Sequence, residues 1–234
     1  MSNVFALVPA RGGSKGILQK NIVAVGDHPL LAYTLKAAQE SGVIDAVYVS
    51  SDDDQILSVA HYYGAERLKR DPHLARDETP IDPVVAEFIH RLKLIGKDII
   101  VLLLPTSPLR TATHIREALA EFYDFPTCYS LISVREINNQ LMKAYVGGGE
   151  FLQPLAGAHS SYLRRQDLPS LYMPNNAITI FKVDDFLREE KIPRTHEIPY
   201  LMSEHDSLDV DSPADLLVAE QRLAHKSQTK RLVE

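Results

Sequence analysis

A glycine-rich loop that carries only positive charge follows the first apolar run of the chain. Residues 4–8 are uncharged and predict a buried parallel strand, and the loop RGGSKG occupies residues 11–16. Clustered glycines allow a tight turn that brings successive backbone N–H groups close to a ligand. Arg11, Lys15 and Lys20 are cationic, and no acidic residue lies among them. We expect a polyphosphate site here; the alternative is a solvated glycine turn with incidental basic residues.

The spacing of this loop disfavours two common kinds of phosphate loop. A Walker A loop needs G-x-x-x-x-G-K-[ST], whereas the order here is Gly-Ser-Lys. A dinucleotide fingerprint needs G-x-G-x-x-G at the start of a helix, which Gly12, Gly13 and Gly16 do not match. Residues 17–28 also predict loop or short strand rather than helix. ATPase and dehydrogenase functions are therefore disfavoured.

The candidate metal ligands are the carboxylates of Asp209 and Asp211, which are separated by one residue. In an extended chain such a pair points to the same side. Carboxylate oxygens bind a hard cation, so we expect Mg²⁺, with Mn²⁺ as an alternative. Asp211 is equally placed to cap the helix that follows, although Ser212 can cap it too and capping does not explain Asp209.

Length and composition restrict the class of protein. The chain has 234 residues, 45% of them hydrophobic, which is enough for one α/β domain spanning 1–234. A formal net charge of −6 argues against a nucleic-acid partner. The single cysteine, Cys128, fits a reducing cytoplasm. We also expect no signal peptide and no membrane partner, because the N-terminal apolar run is short and the longest one is only 99–104.

Apolar runs alternate with amphipathic segments along most of the chain, which predicts an α/β fold with an open, mostly parallel sheet flanked by helices. Strands are predicted at 4–8, 46–51, 66–68, 99–104, 127–134, 176–181 and 198–202. Helices are predicted from residue 30, at 55–63, 82–94, 112–123 and 183–190, and from residue 213. Asp53 or Asp54 is expected to cap the second helix, since aspartate is a good N-cap.

An irregular segment interrupts this alternation. Residues 143–152 predict a hairpin that turns on Gly147-Gly148-Gly149. Residues 156–174 are polar and have too few apolar side chains to fold alone. They must therefore pack on something else; the alternative is a mobile surface loop.

Five motifs together resemble one family. They are PARGGSKG with Lys20-Asn21, then Ser50-Ser51-Asp52, Leu104-Pro105-Thr106-Ser107-Pro108-Leu109-Arg110, Pro174-Asn175-Asn176-Ala177-Ile178 and Asp206-Ser207-Leu208-Asp209-Val210-Asp211. In order and spacing they are similar to the acylneuraminate cytidylyltransferases, the CMP-sugar synthetases that activate nonulosonic acids. The resemblance covers nearly the whole chain and implies a Rossmann-like nucleotidyltransferase fold.

The resemblance implies CTP and a nonulosonic acid as substrates, and it assigns roles to particular residues. Arg11, Lys20 and Arg165 would be catalytic, and Asp209 and Asp211 would hold the cation. The nucleotide would be bound by Ala10, Arg11, Gly12, Gly13, Ser14, Lys15, Asn21, Arg70 and Thr79. The sugar would be bound by Leu104, Thr106, Ser107, Arg165 and Asn175. An excursion at about 135–174 would make a homodimer, and its Arg165 would reach the neighbouring subunit's site.

Three positions depart from the family's pattern. Leu104 stands where sialic-acid members usually have glutamine, Met173 where some have arginine, and Asn176 where glycine is usual. Leucine removes hydrogen bonds to a hydroxyl and favours an apolar substituent. Legionaminic acid, with a deoxygenated C9, would suit such a wall and is therefore the alternative to sialic acid, which is the sugar expected from the resemblance. CMP-Kdo synthesis, another nucleotide, and a non-catalytic nucleotide-binding regulator are further alternatives.

Overall fold

The structure is a computed structural model and describes residues 2–14, 16–157 and 159–231. The strands are β1 Val4–Pro9, β2 Ala24–Val25, β3 His28–Pro29, β4 Ala46–Ser51, β5 Glu66–Lys69, β6 Ile99–Leu102, β7 Ser130–Ile137, β8 Tyr145–Val146, β9 Gln153–Pro154, β10 Leu171–Lys182 and β11 Glu197–Leu201. The helices are α1 Leu30–Glu40, α2 Asp54–Tyr62, α3 Ile81–Leu92, α4 Ala112–Asp124, α5 Val183–Glu189 and α6 Pro213–Arg231.

Seven strands form one sheet in the order β11-β7-β10-β6-β1-β4-β5. All neighbouring strands are parallel except β10, which lies antiparallel between β6 and β7. This confirms the predicted open, mostly parallel α/β sheet. The two-stranded pairs β2–β3 and β8–β9 are separate from it, and the second of these contains the predicted glycine hairpin.

Helices cover both faces of the sheet, because every central strand is apolar on both sides. On one face, Leu31 of α1, Ile56 of α2 and Ile115 of α4 belong to the larger core cluster. On the other face, Phe88 of α3 and Phe186 of α5 form a second cluster with β1, β6 and β10. The sheet is thus the middle of three layers.

Asp53 caps α2, as predicted from its position. Its Oδ1 accepts hydrogen bonds from the backbone N–H of Gln55 at 2.7 Å and of Ile56 at 3.3 Å. These bonds satisfy two of the amides that have no partner within the first turn of a helix.

The strand expected at 176–181 is longer than its apolar run. β10 begins at Leu171, and Leu171–Pro174 pair with residues 134–137 of β7. The segment predicted as an excursion at about 135–174 therefore starts and ends within two paired strands. Tertiary pairing holds Leu171–Pro174 in the sheet although their sequence has no clear strand pattern.

The carboxyl ends of the parallel strands lie at one edge of the sheet. Pro9, Ser51, Lys69 and Leu102 end β1, β4, β5 and β6 there. Open α/β sheets bind ligands at this edge. Among the described residues, no helix has both the length and the apolar character needed to cross a membrane.

Candidate active site

A cavity of about 480 Å³ opens at the carboxyl edge of the sheet. The glycine loop, the segment after β5 and the segment after β6 form its walls. The cavity is lined by residues that include Arg11, Gly13, Ser14, Lys20, Asn21, Arg70, Thr79, Leu104 and Thr106. The structure thus brings together most of the residues predicted for nucleotide and sugar binding.

The glycine loop is held against two neighbouring elements. The Gly12 N–H donates to Asp52 Oδ1 at 2.9 Å, and the Asn21 side-chain amide donates to the Arg11 carbonyl at 2.9 Å. A Cβ atom on Gly12 would lie 2.8 Å from Asp53 Cβ, which explains why glycine is needed there.

These bonds modify the expected use of the loop. We expected the N–H groups of Gly12, Gly13 and Ser14 to face phosphate, but the Gly12 N–H is bonded to Asp52. Gly13 and Ser14 line the cavity, whereas Ala10 is buried and its N–H donates to the Ser50 carbonyl. Lys15, also predicted to bind nucleotide, lies outside the described residues.

Two cations of the cavity are paired with carboxylates. Arg11 Nη1 lies 2.5 Å from Asp77 Oδ1, and both side chains are about one-third exposed. Lys20 Nζ lies 3.0 Å from Asp211 Oδ1 and donates to the Val210 carbonyl at 3.0 Å. A bound anion would have to compete with both carboxylates for these cations.

Arg70 is buried although it lines the cavity. Its Nε donates to Ser50 Oγ at 3.0 Å and its Nη2 donates to the Ser50 carbonyl at 2.7 Å. Burial lowers the pKa of Arg70, and the charge of Asp52 opposes that shift. Thr79 lies on the same side of the cavity and bonds the His73 carbonyl through its hydroxyl at 3.2 Å.

The residues predicted to bind sugar divide into two groups. Leu104 and Thr106 line the cavity, as expected. Ser107 and Asn175 are buried and do not contribute to the lining that the described residues form. Asn175 instead donates from its Nδ2 to Ser207 Oγ at 2.8 Å and accepts from Ser133 Oγ at 2.6 Å. Its neighbour Asn176 lines the cavity in its place.

Arg165 lies apart from this cavity within one chain. It is exposed, and it borders a separate depression together with Asn138 and Asn139. Its carbonyl accepts a hydrogen bond from the Asn139 side chain at 3.3 Å. The predicted role of Arg165 therefore requires a second subunit, which this chain alone does not test.

Sequence reasoning missed several cavity residues, among them Arg76, Arg194 and Glu197. Burial raises the pKa of Glu197, while a hydrogen bond from Ser130 and the charge of Arg194 act in the opposite direction. Arg194 lies in the connection between α5 and β11, and Glu197 is the first residue of β11. No local pattern marks them, because only the sheet order brings β11 to this side of the site.

Arg110 is the last residue of the motif that begins at Leu104, and no sequence pattern assigns it a role. It is buried, and its Nη1 donates to the carbonyls of Leu104 at 3.2 Å and Ala177 at 2.6 Å, while its Nη2 reaches Thr34 Oγ1 at 2.5 Å. Burial lowers the pKa of Arg110 to about 9. The residue ties the segment after β6 to the middle of β10 and so fixes the wall that contains Leu104.

Asp209 fits the binding of a cation. Its Oδ2 accepts a hydrogen bond from Asn176 Nδ2 at 3.0 Å. Its Oδ1 is buried and has no hydrogen-bond partner among the described residues, so a charged acceptor is left available.

Asp211 is more exposed than Asp209, since 76% of its side chain is accessible, and neither carboxylate belongs to the cavity lining that the described residues form. It is not the cap of α6: Ser212 Oγ and the Ser212 N–H both bond Asp215 Oδ2 at 2.8 Å, which provides the capping pair. The described residues contain no group of three or more His, Cys, Asp or Glu that could hold a metal ion. This donor set suits Mg²⁺, which uses one or two carboxylates together with substrate phosphates.

The sheet and its edge cavity define an α/β protein of the nucleotidyltransferase fold class. The structure of CMP:2-keto-3-deoxy-manno-octonic acid synthetase complexed with CTP matches with a TM-score of 0.73, at 14% identity, over 96% of this chain and 100% of that chain. At that identity the likeness shows the fold alone. The family model for Cytidylyltransferase matches residues 5–227, so the chain belongs to the cytidylyltransferase family.

Relatives within the family agree with the resemblance found in the sequence motifs. The N-acylneuraminate cytidylyltransferase of Streptococcus agalactiae serotype V is 32% identical over 214 residues, 90% of this chain and 51% of that protein. The pseudaminic acid cytidylyltransferase of Campylobacter jejuni subsp. jejuni serotype O:2 is 29% identical over 214 residues, 90% of this chain and 91% of that protein. The chain thus spans about half the length of the first relative and most of the second.

Proposed function

We propose that this protein transfers CMP from CTP to the anomeric hydroxyl of a nonulosonic acid and releases pyrophosphate. The observation that carries the proposal is the cavity itself, in a chain of the cytidylyltransferase family. There Arg11, Lys20 and an apolar wall face one space. Both relatives described above are named for sugars of this class.

In the proposed reaction the anomeric oxygen bonds to the α-phosphorus of CTP while the bond to the pyrophosphate oxygen breaks, and the hydroxyl proton is released to solvent. Such transfers depend on positioning and charge neutralisation more than on covalent chemistry by the protein. Arg11 and the N–H groups of Gly13 and Ser14 would bind the outer phosphates. Lys20 would neutralise charge near the α-phosphate.

The nucleoside would lie on the side of Arg70 and Thr79, which line the cavity beyond the loop. Asn21 is buried and holds the Arg11 carbonyl, so in this proposal it shapes the loop beside the ribose. The bond from Asn21 sets the direction of the Arg11 main chain and therefore helps to place its guanidinium.

We assign the divalent cation, Mg²⁺ or Mn²⁺, to Asp209 and Asp211. The support is the unpartnered buried oxygen of Asp209 and the position of both carboxylates beside cavity residues. When bound, the cation would supply charge neutralisation to phosphate oxygens. Lys20, already at Asp211, would add a second positive charge at the same place.

The apolar wall supports a sugar with a deoxygenated substituent, such as legionaminic acid, as the second candidate beside sialic acid. Leu102, Leu104, Ile132 and Ile192 all line the cavity. These side chains offer no hydrogen bond to a hydroxyl, so they favour a methyl group over a hydroxymethyl group.

A homodimer forms part of the proposal. The segment between β7 and β10 exposes large apolar side chains, including Phe151 at 71%, Leu152 at 67% and Tyr162 at 86% exposure. A second copy covering this surface would bury them and could bring its Arg165 to the neighbouring cavity. Because CTP is an intracellular nucleotide, we propose a cytoplasmic reaction.

The test is pyrophosphate release from CTP with a panel of nonulosonic acids and with Kdo, and then with UTP, GTP and ATP in place of CTP. The proposal expects release with CTP and at least one nonulosonic acid. Release with Kdo alone would replace the assigned sugar class. CTP binding with no release from any sugar would instead indicate a nucleotide-binding regulator.

A further inference from the structure

An irregularity in β10 turns Asn176 toward the cavity. Pro174 pairs with Val134 and Thr179 pairs with Ile132, so residues 175–178 stand opposite the single residue Ser133. Asn176 has φ of 60°, in the left-handed region that asparagine tolerates better than most residues. Asn175 fixes the conformation of residues 175–178, because its side chain is hydrogen-bonded to Ser133 and Ser207.

The Asn176 side chain is hydrogen-bonded to the carboxylate of Asp209. Its Nδ2 donates to Asp209 Oδ2 at 3.0 Å. A carboxylate only accepts hydrogen bonds, so the amide nitrogen rather than the amide oxygen faces Asp209. This bond holds one carboxylate oxygen and leaves the buried Oδ1 without a partner among the described residues.

We infer that Asn176 is a positioning residue that orients Asp209 toward the divalent cation of the proposed reaction. The inference rests on the proposed function, since it requires a cation at Asp209. A carboxylate rotates about its Cβ–Cγ bond unless one oxygen is held. Groups that hold a metal ligand in this way contribute strongly to the affinity of the site.

The side chain is not needed for the turn itself. Glycine adopts positive φ without penalty, so Asn176→Gly removes the amide and keeps the backbone compatible with the fold. The role of Asn176 can therefore be separated from the role of its backbone. A purely conformational role predicts that Asn176→Gly changes nothing at Asp209.

The experiment measures Mn²⁺ binding to the whole protein, without nucleotide or sugar, from the loss of the free-ion electron paramagnetic resonance signal. Wild type, Asn176→Gly and Asp209→Asn are compared, with thermal melts of each. We expect Asn176→Gly to weaken Mn²⁺ binding about tenfold, the size usual for a group that orients a ligand, with its melting temperature retained. Asp209→Asn should weaken binding further.

The matched control is Lys93→Gly, because Lys93 has φ of 52° at the end of α3 and is exposed. This variant introduces glycine into the same backbone region and should bind Mn²⁺ like wild type. Equal affinity in wild type and Asp209→Asn would overturn the metal assignment itself. Weaker binding by Asp209→Asn together with wild-type binding by Asn176→Gly would overturn only the positioning role.

Discussion

At the scale of single residues, three of the cations that line the cavity are already held by groups of the protein. Arg11 meets Asp77, Lys20 meets Asp211, and Arg70 meets Ser50. Each contact fixes a flexible side chain before a ligand arrives, which lowers the entropy lost on binding. The carboxylates of Asp77 and Asp211 offset the charges of Arg11 and Lys20, so at these two pairs a triphosphate that carries a divalent cation fits better than a triphosphate alone.

Replacing Arg11 tests the phosphate site. Arg11→Ala should weaken CTP binding by about tenfold to a hundredfold, because a hydrogen bond to a charged group contributes about 1.5–3 kcal/mol. Calorimetric titration with CTP measures this directly. Arg67→Ala removes an exposed arginine of β5 and serves as the control. Unchanged CTP affinity in Arg11→Ala would remove that residue from the phosphate site.

The carboxylate pair is tested by amide replacements. Asp211→Asn and Asp209→Asn should retain the melting temperature, since α6 is capped by Ser212 and Asp215 and not by Asp211. Both should lose most turnover, because the site loses negative charge that would anchor the cation. Pyrophosphate release across a Mg²⁺ titration is the measurement. A wild-type rate at ordinary Mg²⁺ would exclude that residue from the metal site.

Leu104 tests the sugar wall. Leu104→Gln should shift preference from deoxygenated nonulosonic acids toward sialic acid, because the added amide can bond a hydroxyl that leucine cannot. The ratio of kcat/KM values for the two sugars reports the shift, which should be at least about tenfold. Leu104→Met keeps the wall apolar and should leave the ratio unchanged. An unaltered ratio in Leu104→Gln would place Leu104 outside the sugar pocket.

At the scale of elements, the glycine loop is in contact with two other segments, the start of α2 and residues 209–211. Gly12 approaches Asp53, and a Cβ on Gly16 would lie only 2.6 Å from the Asp211 carbonyl oxygen. Val210 is tied in turn to the segment after β6, because its N–H donates to the Thr106 carbonyl at 2.8 Å. The site is therefore assembled by close backbone contacts as well as by side chains.

This packing predicts the effect of a single methyl group. Gly16→Ala should destabilise the fold by about 1–3 kcal/mol and reduce turnover, because the backbone at Asp211 must move to admit it. Denaturant unfolding and pyrophosphate release measure the two effects. Gly147→Ala, where a Cβ meets no atom within 4 Å, is the control and should be neutral. Wild-type stability and rate in Gly16→Ala would show that the loop and residues 209–211 are not tightly coupled.

At the scale of the whole molecule, the chain has a three-layer core and one segment whose described residues, 138–157 and 159–170, belong to none of the hydrophobic core clusters. Residues 138–170, between β7 and β10, have 3-10 turns and one two-stranded pair, and they expose several large apolar side chains. Arg165 lies in this segment, away from the cavity of its own chain. A site shared between two subunits would explain both the exposed apolar side chains and the position of Arg165.

Subunit mixing tests the shared site. Arg165→Ala and Lys20→Ala subunits should each be inactive alone, and their heterodimer should regain up to about half the activity of wild type. The reason is that one of its two composite sites would have an intact Lys20 and an intact Arg165. Activity is measured on heterodimers purified with two different affinity tags. Verified heterodimers that stay inactive would contradict the shared site.

The sequence by itself determined most of the helices and strands and several of the residues that line the cavity. Uncharged runs such as 4–8 and 46–51 became strands where they were predicted, since burial on both faces leaves a strong local signal. Arg11 and Lys20 line the cavity, as their position after the first strand predicts, because parallel strands bring their carboxyl ends to one edge of the sheet. Arg70 and Thr79 line it too, but they were assigned through the family resemblance and not from local sequence.

Only the tertiary structure decided which of two residues adjacent in the sequence faces the cavity. The cavity is lined by Asn176 and not by Asn175, and by Thr106 and not by Ser107. It is also lined by Arg194, which lies in the connection between α5 and β11. The direction of Asn176 depends on the irregular pairing of β10 with β7, which sequence periodicity does not encode. Strand alternation fixes side-chain direction only relative to a register. That register is set by hydrogen bonds to residues about forty positions away along the chain.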